Sequence, residues 1–265
     1  MSDKKIIRLH PSPKNLAQAT TVLDEQMFES AMPAQHNHCY YEDAAIGLYI
    51  GVWDTTDMVS KPAPYAYDEF MVLLEGQAGI HNIKTGEREI VNAGEVIVIP
   101  NGYDCQWRQK GYLRKFYVRS KHPNEITPIE PTCEGLINIS KVHQGVPAST
   151  DSTSNIKVNV SGDSFIMKAG QTVKKGQHLY QSHRGNFFSG IWQSEQFETQ
   201  QQAFPRNEFI YIESGELVCI DQDNQAHRFS KGDAFFIPQG TICHWRVDQS
   251  VCTFYAVIQS FSSIK

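Results

Sequence analysis

Two stretches of this chain are written to the same plan. Glu69 to Trp107 reads EFMVLLEGQAGIHNIKTGEREIVNAGEVIVIPNGYDCQW, and Glu208 to Trp245 reads EFIYIESGELVCIDQDNQAHRFSKGDAFFIPQGTICHW. Glu208 follows Glu69 by 139 residues, and Gly190-Ile191-Trp192 follows Gly51-Val52-Trp53 by the same interval. After a one-residue gap the interval becomes 138, relating Gly232 to Gly94, Pro238 to Pro100, Gly240 to Gly102, Cys243 to Cys105 and Trp245 to Trp107. Agreement at so many glycine, proline and tryptophan positions across one gap marks an internal duplication, one structural unit present twice.

The pattern inside each copy is that of β-structure. Met71–Glu75, Ile80–Ile83, Glu95–Ile99 and Leu113–Arg119 are short runs rich in β-branched and aromatic residues, and AIGLYIGVW from Ala45 is another. Glycines separate them, and Pro100 and Pro238 end strands because proline cannot donate to a ladder. Many short strands with almost no helical periodicity predict an all-β antiparallel sandwich or barrel. Leu16, Ala19, Leu23 and Met27 stand at helical spacing and predict a short peripheral helix over Lys14–Met27. Between the copies, Lys121 to Asn155 holds Pro123, Pro128, Pro131 and Pro147 and ends in the polar run Ser149–Asn155, as a connecting segment does. The expected domains are residues 1–125 and 126–265.

Charge and cysteine content exclude several classes of function. With 24 basic and 29 acidic residues the chain has a net charge of −5, so no basic footprint for nucleic acid or an anionic membrane is present. No run approaches the roughly 18 apolar residues of a membrane helix, and the basic N-terminal residues have no apolar stretch behind them. The six cysteines lack CxxC spacing and read as reduced thiols, which with the missing export signal predicts a cytoplasmic protein.

The repeated motifs resemble those of the cupin superfamily, whose first motif is G(x)5HxH(x)3–4E(x)6G and whose second is G(x)5PxG(x)2H(x)3N. Glu69 with Gly76, and Glu208 with Gly215, keep the E(x)6G spacing; Gly94, Pro100 and Gly102, and Gly232, Pro238 and Gly240, keep the frame of the second motif. The resemblance implies two tandem double-stranded β-helix (cupin, jelly-roll) barrels. It is greatest to the DUF861 (Cupin_3) group, through Gly51-Val52-Trp53, Asp68-Glu69-Phe70, Leu74-Glu75-Gly76, Trp107 and Arg114-Lys115-Phe116-Tyr117. The second copy departs at the last element, with Cys252-Thr253-Phe254-Tyr255. The group includes metal-using (S)-ureidoglycine aminohydrolases.

The family's metal histidines are missing. The HxH places fall on Pro62 and Pro64 or Ala63 and Tyr65 in the first copy, and on Gln202 and Phe204 or Ala203 and Pro205 in the second. The second-motif histidine is Cys105 in one copy and Cys243 in the other. Glutamate plus cysteine makes two ligands where a divalent metal takes three or four. No metal site and no cofactor is therefore expected, with a non-standard site through His38 or His178 as the open alternative. His244 beside Cys243 is expected on the outer face, and His36 and His38 are expected to be solvated loop residues.

By the resemblance, Glu69 and Glu208 face the barrel interiors, where desolvation would raise their pKa and suit acid–base catalysis. The expected pocket residues are Trp53, Tyr65, Tyr67, Cys105, Trp107, Lys115 and Tyr117 in the first copy, and Trp192, Cys243 and Trp245 in the second. Arg114 or Lys115 is the expected countercharge for an anionic ligand. Three functions follow: metal-independent binding of a small polar ligand, an isomerase or a ureide or amide hydrolase using a barrel glutamate or unconventional metal, and a structural dimerisation module. A homodimer is the expected assembly by family analogy.

Overall fold

The computed structural model describes residues 4–18, 23–121, 123–125, 131, 133, 135–143, 168 and 176–259. Parts of the proposed connector, including Pro128, Pro147 and Ser149–Asn155, lie outside them, as do Thr20–Val22 of the expected helix. The described structure is almost entirely antiparallel β, as the sequence pattern predicts. Among the described residues, no helix is long and apolar enough to cross a membrane.

The chain divides into two compact units, His10–Thr153 and Met1–Leu9 with Ser154–Lys265. In the first, a seven-stranded sheet runs in the order Ile137–Asn138, Val96–Ile99, Asp68–Glu75, Leu113–Ser120, Leu48–Thr55, Gln35–Asp43 and Ala17–Gln18. A second sheet is built around Asp104–Gln109, which pairs with Gln77–Asn82, Met58–Val59 and Ala63–Pro64, while Arg88–Asn92 extends it from Gln77–Asn82. Met71, Leu73, Ile80, Val91, Ile97 and Ile99 form part of the buried core of this unit.

The second unit has one eight-stranded sheet, in which Asn207–Asp221 and Ile242–Ile258 run through as single long strands. Where the first unit breaks its strand at Gly76, the second carries register shifts on either side of Gly215. Both glycines have positive φ, +81° and +79°, and a Cβ on either would clash with a facing backbone carbonyl oxygen, of Tyr112 or Ser250. The spacing from glutamate to glycine is thus kept by a backbone requirement that only glycine meets.

Several sequence expectations are changed by strand pairing. The helix expected over Lys14–Met27 is replaced by the strand Ala17–Gln18, hydrogen-bonded to Asn37 and His36, and a 3-10 turn at Glu25–Met27 capped by Asp24. His36 and His38 are not loop residues: they sit on Gln35–Asp43, a polar strand recruited by its eight-residue pairing with Leu48–Thr55. Two short strands pair across the expected division at residue 125. Ile137–Asn138 pairs with Val98 and Ile97 of the first unit, while Ile7–Leu9 pairs with Phe236 to Ala234 of the second.

Candidate functional site

Glu69 is fully buried on the central strand Asp68–Glu75, and its register partner on Leu113–Ser120 is Arg119. The register slips opposite Arg114 and Lys115, leaving Leu74 of Asp68–Glu75 unpaired, and plain alternation along Leu113–Ser120 places Lys115, Tyr117 and Arg119 on one face. The Lys115 ammonium donates to Oε1 of Glu69 at 2.8 Å, and the Tyr65 hydroxyl donates to Oε2 at 2.5 Å. Arg119 Nε stands 3.2 Å from the same Oε2 as an ion pair. Lys115 is also held between two tryptophans, its Nζ 5.0 Å from the ring centres of both Trp53 and Trp107.

These contacts reverse the pKa expected for Glu69. Burial alone pushes its carboxyl up, but Arg119 and Lys115 outweigh burial and hold it at about 2. It is ionised across the neutral range and a weak base, rather than the raised acid that desolvation alone would give. Tyr65 is pushed well above its ordinary value by burial and then by the Glu69 carboxylate, so its hydroxyl remains a donor. The Cys105 thiol is pushed up to about 12, by burial and then by Asp104.

A cavity of about 590 Å³ opens onto this cluster. Of the residues expected there, Trp53, Tyr65, Tyr67, Glu69, Cys105, Trp107 and Lys115 line it. Tyr117 lies behind the wall, its ring 4.6 Å from the Arg119 guanidinium carbon and its hydroxyl where a Cβ on Gly51 would clash. Arg114 is turned the other way, to Glu75 at 2.9 Å and Asp54 at 3.9 Å, because neighbours on a strand face opposite sides. Lys115, not Arg114, faces the cavity. Reasoning from the sequence missed Arg119, Asn37 and the Leu23–Phe28 segment, which also line the cavity. Arg119 was visible as the next inward position after Lys115 and Tyr117, with Val257 at its repeat equivalent.

The second unit uses the same scaffold differently. Glu208 is buried, and its carboxylate is met by Arg206 Nε at 2.8 Å, both side chains being 4% exposed. The repeat places Arg206 where the first unit has Tyr67, Phe204 where it has Tyr65, and Thr253 where it has Lys115. Trp192, Cys243 and Trp245 belong to a packed aromatic core: Trp245 stacks on Phe204 at 5.3 Å and meets Trp192 edge-on at 5.8 Å. Cys243 is pushed up to about 12 by burial and then by Asp221. His178, expected as an alternative ligand, is buried, with Nδ1 2.9 Å from the Tyr255 hydroxyl. His244, between Cys243 and Trp245 in sequence, is mostly buried on the opposite face of its strand, with Nε2 3.6 Å from Glu198.

The donor set does not fit a divalent metal of the kind cupins hold. Both Glu69 oxygens are engaged by cationic or hydroxyl groups, Cys105 is a protonated thiol rather than a thiolate, and an added cation would face Lys115 and Arg119. His36, Nδ1 2.7 Å from Asp54, and His38, Nδ1 3.3 Å from the Asn15 carbonyl, are not among the residues lining the cavity.

The family model described as EutQ-like cupin domain matches residues 181–255. Among solved structures, the chain is similar to a protein of unknown function of the DUF861 family from Pseudomonas syringae pv. tomato, with 17% identity, TM-score 0.66, and coverage of 96% of this chain and 99% of that one. It is also similar to a cupin 2 conserved barrel domain protein from Leptotrichia buccalis, at 12% identity, TM-score 0.55 and coverage of 87% and 91%. A third is the DUF861 protein Ylba from E. coli, at 11% identity, TM-score 0.53 and coverage of 98% and 93%. No curated protein matches the chain in sequence.

Proposed function

Because this chain is a cupin-fold protein with a EutQ-like cupin domain over residues 181–255, we propose that it binds a small polar molecule, without a metal, in the cavity of its first unit. The observation that carries this reading is the clamp on Glu69. Lys115, Arg119 and Tyr65 take up the carboxylate that a metal would otherwise share, and do so at the foot of a cavity of about 590 Å³. That volume lies within the roughly 300–1,000 Å³ common for small-molecule sites, and the walls combine aromatic surface with a few convergent polar groups. A general base works best with a pKa near the working pH, so a carboxyl at about 2 favours recognition over proton abstraction.

The test uses protein purified without chelators or a histidine tag. Elemental analysis is expected to find no stoichiometric transition metal. A thermal-shift screen with small carboxylates and ureides is expected to give ligand-dependent stabilisation that changes in Glu69→Gln. One transition metal per chain, lost on Glu69→Gln, would overturn the reading.

A further inference from the structure

Resting on the cavity-binding reading, we propose that the ligand is a small organic monocarboxylate, its carboxylate on the Arg119 guanidinium and its apolar body against the aromatic wall. The charges at the foot of the cavity do not cancel. Glu69 is the one carboxylate among the lining residues, and Lys115 and Arg119 both point at it. Lys115 and Tyr65 already supply a hydrogen bond to each of its oxygens, so the second cation is in excess.

Arg119 is placed to use that excess. Its guanidinium carbon lies 4.6 Å from the ring centre of Tyr117 and 5.4 Å from that of Tyr67, while its side chain remains 28% exposed. Among the described residues its Nε is committed to Glu69 at 3.2 Å, while neither terminal nitrogen donates a hydrogen bond. A guanidinium held against aromatic rings keeps its N–H edges in plane. That is the fork which matches a carboxylate through two parallel hydrogen bonds. Lys61, also lining the cavity, adds a further positive charge, and the lining holds no acid besides Glu69.

The rest of the wall defines the body of the ligand. Phe28, Trp53, Met58 and Trp107 present apolar surface, which a small sugar or a polyanion would leave unmatched. Asn37 Oδ1 is buried in the same wall without a donor, a place for a hydroxyl or amide N–H on the ligand.

The test compares isosteres that differ in charge: benzoate, benzamide and benzylamine, with hexanoate as an aliphatic acid, measured by calorimetric titration and thermal shift. Benzoate or hexanoate is expected to bind about tenfold or more tightly than benzamide, with no binding of benzylamine, since a charge-assisted bidentate contact is lost in the neutral probe. Arg119→Lys keeps a cation beside Glu69 but removes the fork, and is expected to weaken the carboxylate about tenfold and benzamide by much less, with the far-UV circular dichroism unchanged. Equal affinity for benzamide and benzoate would overturn the monocarboxylate proposal and leave cavity binding standing. So would carboxylate affinity indifferent to Arg119→Lys. Binding of none of the four probes would overturn both.

Discussion

Tyr67 and Arg206 stand at the same place in the repeat, two residues before the buried glutamate of their unit, and only Arg206 touches it. Among the described residues of the second unit, Arg206 is the cation that meets Glu208, with Nε at 2.8 Å. In the first, the tyrosine leaves the carboxylate to Lys115 and Arg119, whose repeat equivalents are Thr253 and Val257. The exchange changes one cation per glutamate into two. It also accompanies the difference in filling, since Phe204, packed on Trp245, replaces the Tyr65 that donates to Glu69.

Removing the charge at Glu69 should expose how much of the first unit depends on it. Glu69→Gln leaves the buried Lys115 and the partly buried Arg119 without a counterion and is expected to cost about 3 kcal/mol at neutral pH. The wild-type carboxyl sits at about 2 against an ordinary 4.5, so the unfolded chain takes up the proton first. The stability it supplies is full above about pH 4.5 and is lost as the pH falls toward 2. Urea midpoints followed by tryptophan fluorescence should show that loss in the wild type and a flatter profile in Glu69→Gln; parallel profiles would count against the clamp.

His178 predicts a second acid-sensitive window. Burial, and then Arg206, draw its imidazole down to about 4 from an ordinary 6.5. The unfolded chain is therefore protonated first, and stability that is full above pH 6.5 is lost as the pH falls to about 4, by up to about 3 kcal/mol. His178→Asn retains an acceptor near Nδ1 for the Tyr255 hydroxyl and should flatten thermal stability across this window. A variant as steep as the wild type would assign the slope elsewhere.

The thiols should divide by environment rather than by sequence. Cys39 is exposed, whereas Cys105 and Cys243 are buried and pushed up to about 12. Brief alkylation of native protein at pH 8, read by peptide mass spectrometry, should label Cys39 well before either of them. Cys105 is the more informative case because it lines the cavity, so small reagents can reach it. Rapid labelling there would reveal a thiolate and reopen it as a nucleophile or ligand.

Two glycines of the repeat should respond differently to alanine. Gly94 has φ +88° with open space around a Cβ, so Gly94→Ala should cost only the left-handed backbone, about 1–2 kcal/mol. Gly76 combines φ +81° with a clash against the Tyr112 carbonyl, and Gly76→Ala must also move the facing strand. Denaturant unfolding should rank Gly76→Ala clearly below Gly94→Ala, and equal losses would show that the chain yields at Tyr112.

The strands written as apolar runs were legible before any coordinates. Leu48–Thr55, Val96–Ile99 and Leu113–Ser120 follow runs of β-branched and aromatic residues, and Ile99 and Ile237 end their strands beside the prolines that stop them. Gln35–Asp43 was not legible, because QHNHCYYED carries no alternation and becomes a strand only through pairing with Leu48–Thr55. The same holds for Ile7–Leu9, which completes the second unit, and Ile137–Asn138, which completes the first.

By itself the sequence determined the duplication, the β class and the identity of the buried glutamates, because glycine, proline and aromatic spacing are local consequences of turns and strands. Only the tertiary structure decided what those glutamates do. The charge state of Glu69 depends on Lys115, Arg119 and Tyr65 arriving from a neighbouring strand and a loop within a few ångströms, out of water. Distance and desolvation set the sign and size of that electrostatic balance, and neither is a property of residues read one after another.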